Sequence, residues 1–594
     1  MAALAPIPIY TSLSELYDNL GTAASHAPRW NNLIDEFEKR FGGKPKYIAR
    51  APGRVNLIGE HIDYALFGVQ PMAVESDILI ACAPSKAGSV QLEPGHVVAQ
   101  NLAKKYGPQA FAPLLQSDKL AASEDAVRAW KLDIDTKELH WESYVKAGYY
   151  GVLNEYFASS SSAPPVPVDL LVTGSVPAGS GLSSSAAMVV ASTLAFLSVN
   201  GKLDEPETTR LTKGALVGMA MQNEQRVGVN SGGMDQAASV ISTPSAALYI
   251  TFYPKLAADP TPLPAGAVFV IANSLVVSDK AVTAKFNYNL RVVETLAGAR
   301  ALARALNLPV GPKEKITLRE VVGRLVKEDK EKPMSDGELR DVLVRMDKEI
   351  EVLKPKNAPE GELGVTLEEM IELTGLSKEE FQDVYLSWVE VEATRFQLYK
   401  RAKHVFSEAL RVLQFRDTCL QSPPDVFAKL GALMNESQKS CAEDYNCSCK
   451  ELDTLTSIAR EAGAWGSRLT GAGWGGCSVS LVSEDKVESF IEQVKAKYEP
   501  YKALSEAQLK DAIFATKPSS GACGEYISSL LYDRVTDFLS SVQVRRVEKE
   551  AANRNVIMCH DPIVILMRDG RCSLYELTRT NDPLRRCSAS ESQR

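Results

Sequence analysis

Apolar and polar positions along the chain follow two rhythms. Dense β-branched and aliphatic runs at Tyr47–Leu57, Asp77–Ala83, Val168–Val176, Ala246–Phe252, Ala267–Asn273 and Cys477–Val482 predict strands. A helical period over Trp141–Phe157 predicts a helix that stops at Ser159–Pro167, whose serines and prolines cannot continue it. From Thr317 to Gln382 the chain turns highly charged. There the pairs Thr317/Glu320, Ser335/Glu338, Thr366/Glu369 and Ser377/Glu380 have capping-box spacing, which predicts successive short helices with a solvated face. Trp388–Leu413 then predicts one long helix, with Val389, Ala393, Phe396, Tyr399, Ala402, Phe406 and Leu410 packed into the core. Proline-rich Asp259–Pro264 reads as a linker. At roughly 150 residues per domain the length allows up to four domains, and two larger ones fit as well.

Composition narrows the function classes. Hydrophobic residues at 45% and charged residues at 24% exclude wholesale disorder and fibrous architectures. Lys plus Arg number 66 against 74 Asp plus Glu, a net charge of −8 without a sustained basic run, so neither nucleic acid nor an anionic membrane is expected as a partner. The start of the chain lacks a basic segment followed by an unbroken apolar one, and the apolar run Ala186–Val199 falls short of the roughly 20 residues a span needs. Ten sparse cysteines suggest reduced thiols, and a cytoplasmic location is expected. Cys441, Cys447 and Cys449 cluster, but C-x-C without a nearby His or second pair makes a poor zinc site.

Four segments carry chemistry. Ala51–Tyr64 (APGRVNLIGEHIDY) packs Arg54, Asn56, Glu60, His61 and Asp63 into ten positions at a strand end, an array suited to hydroxyl groups of a small polyol or sugar; a turn with ordinary surface charges is the plainer reading. Val176–Ala187 (VPAGSGLSSSAA) runs abruptly into an apolar helix, so free backbone N–H groups and the helix dipole could cradle phosphate. It is not a Walker A loop and has no lysine, which makes Mg²⁺, held by a hydroxyl and one carboxylate, the natural neutralising charge. Asn223–Gln236 (NEQRVGVNSGGMDQ) holds Glu224 and Asp235, which could divide metal binding and hydroxyl activation between them; an N-cap for Asp235 and a solvated helix position for Glu224 are the plainer readings. Ser467–Cys477 (SRLTGAGWGGC) feeds a strand and reads by itself as a tight hairpin or bulge.

Together and in this order, these segments resemble the galactokinases of the GHMP small-molecule kinase superfamily. Tyr288–Arg291, Arg401–Val412 and Leu430–Cys449 are similar to fungal galactokinases and eukaryotic N-acetylgalactosamine kinases, and the resemblance spans roughly residues 25 to 525. It implies an α+β, two-domain GHMP fold with the active site in the interdomain cleft: residues 1–262, residues 263–524 with the helical elaboration at about 310–380, and an atypical tail, 525–594, expected to pack poorly. The implied activity is ATP-dependent phosphorylation of the anomeric hydroxyl of galactose, giving galactose 1-phosphate and ADP for the Leloir pathway.

Carried onto this chain, the resemblance makes Asp235 the catalytic base and Arg54 its catalytic arginine, with Glu60, His61, Asp63, Gly233 and Tyr288 around the sugar. Gly179, Ser180, Gly181, Leu182, Ser183, Ser184, Ser185, Ala186 and Ala187 match the ATP phosphate loop, and Ser185 and Glu224 the Mg²⁺ ligands. A monomer is expected. Two alternatives remain: an N-acetylgalactosamine kinase, and a galactose- and ATP-binding inducer whose partner is a transcriptional repressor. The complete Ser183–Ala187 stretch favours catalysis, because some inducers shorten it.

Overall fold

Strands with apolar residues on both sides form where both faces of a sheet can be covered. In the computed structural model, which describes residues 2–17, 20–86, 92–116, 129–158, 163–207, 209–228, 232–277, 283–356 and 359–526 and the backbone of 557–558, 563–568 and 571–576, two such sheets organise the chain. The first has seven strands in the order Ile9–Tyr10, Cys523–Tyr526, Tyr47–Asn56, Pro71–Pro84, Val168–Gly174, Val97–Asn101, Gln109–Phe111. Pairing is antiparallel except between the first two strands and between Val97–Asn101 and Val168–Gly174. Alternate residues go to opposite faces. Ile48, Leu79, Ala81 and Leu171 join Leu33 and Phe37 of the helix Leu20–Phe41, whereas Ala49, Ile80, Cys82, Leu170 and Val172 enter the main core. There the helix Ser184–Val199 is buried on nearly every side, between the sheet and the helices Trp141–Tyr156, Lys213–Glu224 and Met234–Ile241.

The second sheet is fully antiparallel, in the order Gly466–Thr470, Cys477–Ser483, Ala267–Asn273, Ile513–Thr516. Phe269, Ile271, Leu469, Val479 and Leu481 share the main core, while Val270, Ala272, Val482 and Ile513 pack with Leu455, Ala459, Phe490 and Val494 of two covering helices. One core therefore runs through both halves of the molecule.

The capping boxes at Thr317, Ser335, Thr366 and Ser377 each start a helix as their spacing predicts. Two expectations are corrected. The long helix spans Leu398–Gln421 rather than beginning at Trp388. Phe396 is held extended by backbone pairing with Val365, and Gln397 N donates to Glu294 Oε1 at 2.7 Å, so the helix starts only after them. Val389 and Phe396 are buried from an extended segment. Asp259–Pro264 is not a plain linker either: Ala257–Pro262 pairs antiparallel with Ala246–Thr251 as an edge strand, where proline is tolerated because its missing N–H faces away from the partner. The tail's strand-like stretch pairs as a small antiparallel sheet of Ile557–Met558, Ile563–Arg568 and Arg571–Glu576; the rest of 527–594 and residues 159–162 of the predicted loop lie outside the described residues.

Candidate active site

The Pro-Gly-Arg sequence sets the first contact. The register of Tyr47–Asn56 shifts between Pro52 and Arg54, and a side chain on Gly53 would place its Cβ 2.8 Å from the Leu182 carbonyl, so glycine lets the strand and the Gly179–Ala187 loop touch. Arg54 N donates to Leu182 O at 3.1 Å. Its buried guanidinium places Nε and Nη2 2.8 and 2.7 Å from Asp235 Oδ1, and Nη1 donates to Gly181 O at 2.6 Å. One arginine thus joins the acid of the third motif to the loop of the second.

Asp235 is the second residue of Met234–Ile241, not its N-cap; that position belongs to Gly233 at φ 103°, a left-handed conformation where a side chain would be strained. A Cβ on Gly232 would lie 2.4 Å from Tyr64 N and 2.6 Å from the Asp63 carboxyl, so the glycine pair lets this helix start close against the first motif. Met234 N donates to Asp63 Oδ2 at 3.3 Å. Burial, then the negative charge of Asp235, pushes the Asp63 carboxyl up to about 6, against the pull of the Met234 and Tyr64 N–H groups.

Glu60 is fully buried. It accepts from Asn56 Nδ2 at 2.9 and 3.2 Å and from Gly471 N at 3.1 and 3.3 Å. Burial outweighs Arg468 and Arg54 and holds its carboxyl above the usual range. His61, at φ 60°, places Nε2 2.9 Å from Ala472 O, an acceptor, so Nε2 carries the proton and Nδ1 faces the Tyr64 hydroxyl at 3.0 Å. Rings of Tyr288, Tyr445 and Trp474 surround it at 5.5, 4.8 and 5.5 Å between centroids. Arg54, Glu60, His61, Asp63, Asp235 and Tyr288 line one cleft, together with Met234, Gly471 and Ala472.

The Gly179–Ala187 loop rests on the fourth motif. A Cβ on Gly471 would sit 2.5 Å from Gly181 O, one on Gly476 2.8 Å from Ser180 O, and one on Gly181 2.8 Å from Thr470 O. The glycine-rich stretch is a hairpin connection between Gly466–Thr470 and Cys477–Ser483, and its glycines are also what allow two loops to meet backbone to backbone. Gly179, Gly181 and Ser183 have φ of 70°, 78° and 57°. Leu182, Ala186 and Ala187 are buried and seat the loop, Ser180 Oγ donates to Pro177 O, Ser184 and Ser185 are half-buried, and the buried Ser183 Oγ meets no hydrogen-bond partner among the described residues. Glu224, buried at the end of Lys213–Glu224, accepts from Gln236, the neighbour of Asp235.

Several residues of the site were not singled out by sequence reasoning. Tyr445 reaches Tyr64 at 2.5 Å between hydroxyls, and it is held by Arg291 Nε on its carbonyl at 2.8 Å. Glu408 accepts from Gly59 N at 2.9 Å, and His404 Nε2 lies 3.0 Å from Glu60 O. His404 and Glu408 stand one turn apart within a helix read as an apolar stripe; that pair of polar residues on a core helix was the signal available.

The GHMP kinase N-terminal domain matches residues 143–243 and the GHMP kinase C-terminal domain residues 425–500, which defines the class as a GHMP kinase of α+β architecture. The galactokinase galactose-binding signature matches residues 35–84. Curated galactokinases from Dictyostelium discoideum, Schizosaccharomyces pombe and Saccharomyces cerevisiae are 36, 34 and 36% identical, over 87, 88 and 84% of this chain and 97, 99 and 94% of their own. The chain belongs to the galactokinase family. A solved Lactococcus lactis galactokinase complexed with galactose aligns at 24% identity and a TM-score of 0.49, over 83% of this chain and 99% of its own.

Proposed function

We propose that the chain transfers the γ-phosphoryl group of ATP to the anomeric hydroxyl of galactose, releasing galactose 1-phosphate and ADP, with Asp235 as the base. The supporting observation is the Arg54 bridge, which sets Asp235 beside the phosphate loop. A sugar hydroxyl is a far weaker acid than a carboxylic acid of pKa about 3.9, so its proton moves to Asp235 late, once the new bond to phosphorus has weakened the O–H bond. Arg54 offsets the charge that develops, and the loop N–H groups with the helix dipole hold the phosphates. Glu60, His61, Asp63 and Tyr288 orient the sugar, and Gly233 allows Asp235 to approach it.

Ser185 at the first turn of the loop helix and the buried Glu224 offer one hydroxyl and one carboxylate. Such a sparse donor set suits Mg²⁺, which keeps phosphate oxygens and waters in its octahedron. Bound there, Mg²⁺ would neutralise phosphate charge. The two-domain division near residue 262 fits the sheets, each built mainly from one side of it. No helix among the described residues is long and apolar enough to cross a membrane, and the seven described cysteines are free thiols; the proposed cytoplasmic setting rests on the sparse cysteines of the sequence. A panel of galactose, N-acetylgalactosamine and other hexoses with ATP and Mg²⁺, read by ADP release, tests the proposal. ADP release is expected with galactose; a silent panel with intact galactose binding would favour the inducer reading instead.

A further inference from the structure

Arg468 lies in the fourth motif and has had no role so far. Its side chain is fully buried between two buried carboxylates, with Nη2 3.6 Å from Glu60 Oε2 and 3.8 Å from Glu408 Oε1. The fork is held on every side: Nε donates to Ser437 Oγ at 3.0 Å, Nη1 to Asn56 O at 3.2 Å, and Nη2 lies 3.8 Å from Cys441 Sγ. Asn56 and Glu60 belong to the first motif, and Ser437, Cys441 and Glu408 to helices of the C-terminal half. Glu408 is itself fixed by Ser437 Oγ at 2.6 Å and Arg411 Nε at 2.8 Å.

We infer that Arg468 is a positioning residue for the sugar site, fixing from the C-terminal half both the place and the negative charge of Glu60. This rests on the reading of Glu60 as a sugar ligand. Among the described residues, the charged and titratable groups around Glu60 include Arg54 from its own sheet, Arg468 from the second sheet, the Cys447 thiol, His404 on its carbonyl, and His61, Asp63 and Asp235 along the same cleft. Arg54 is shared with Asp235, and Glu408 has Arg411 as well, so Glu60 depends on Arg468 most. Without the guanidinium, a carboxylate in so dry a place takes up a proton at higher pH, and a protonated Glu60 has lost acceptor capacity for a sugar hydroxyl.

The test is steady-state kinetics from pH 5 to 9 on the full chain for wild type, R468M, R468K and E60Q, with melting temperature followed in parallel. R468M is expected to raise the galactose KM about tenfold, leave the ATP KM unchanged and move the acid limb of kcat/KM for galactose up by about one pH unit. R468K keeps the charge but not the fork, so the limb returns to its wild-type place and the galactose KM stays severalfold high. An unmoved limb in folded R468M, or an equal rise in both KM values, overturns the proposal. If R468M does not fold, R468K decides: a wild-type galactose KM in the folded variant overturns it. E60Q separates the two readings. A wild-type galactose KM in E60Q removes Glu60 from the sugar site, whereas a raised KM there with an inert R468M overturns only the role of Arg468.

Discussion

Asp63 and Asp235 share one cleft but not one environment: Asp235 is paired directly with the Arg54 guanidinium, whereas Asp63 has two backbone N–H groups and the more distant charge of Arg54 against burial and its neighbour's charge. The asparagine variant D235N should bind galactose and ATP yet lose turnover roughly a hundredfold or more, the scale of a general base, measured as kcat beside ligand titrations. Asp63 predicts a pH effect. Its folded value near 6 lies above the ordinary 3.8, so it protonates in the native state first and the galactose KM should rise as pH falls through about 6; D63N removes this component and leaves the one set by Glu60. The same shift works against stability at neutral pH and in its favour as pH drops from 6 to 3.8. At this scale the sequence was readable where chemistry is contiguous: Arg54, Glu60, Asp63 and Asp235 stand in dense polar motifs. It was not readable for Arg468, Glu408, His404 and Tyr445, because their meaning comes from contacts across hundreds of residues, and each taken singly looks like an ordinary residue of its helix, strand or loop.

Among elements, the glycine-to-glycine seam between the phosphate loop and the hairpin connection makes the most exposed wager. Gly471→Ala puts a Cβ 2.5 Å from a backbone oxygen at a φ of 84°. It should cost at least about 1 kcal/mol of stability from the left-handed conformation alone, seen in denaturant unfolding, and it should raise the ATP KM by displacing the loop. The capping boxes were legible because both partners lie within four residues. The start of Leu398–Gln421 was not, since an apolar spacing that suits a helix also suits an extended segment buried on one side, and Glu294, far away in sequence, decides between them. The Asp259–Pro264 reading failed for a related reason: prolines mark a linker only if no strand offers them an edge.

Over the whole molecule, His404 ties the two halves, with Nε2 donating to Glu60 O and Nδ1 accepting from Ser440 Oγ at 2.9 Å. Burial holds its folded value down at about 4, below the ordinary 6.5, so the unfolded chain takes up the proton first. Its contribution to stability is therefore complete above pH 6.5 and lost as pH falls to 4, about 3 kcal/mol in all. Asp63 works in the opposite sense over part of that range, so the comparison must be with H404Q: the difference in unfolding free energy between wild type and variant should shift by that amount between pH 7 and 4. A truncation after Thr516 should leave no folded protein by circular dichroism, because it removes Cys523–Tyr526 from between Ile9–Tyr10 and Tyr47–Asn56 and takes away the carbonyls of Ser520 and Gly521 that receive Arg50.

That inserted strand also bears on how the chain is made. More than four hundred residues separate Tyr47–Asn56 from its partner Cys523–Tyr526, so while the protein is being synthesised the sheet carrying Arg54 keeps an open edge until nearly all of the chain described here has left the ribosome. The half that holds the sugar motif is the first to emerge and the last to be closed, and a nascent chain stalled before residue 523 would display an unpaired strand to chaperones and to other nascent copies.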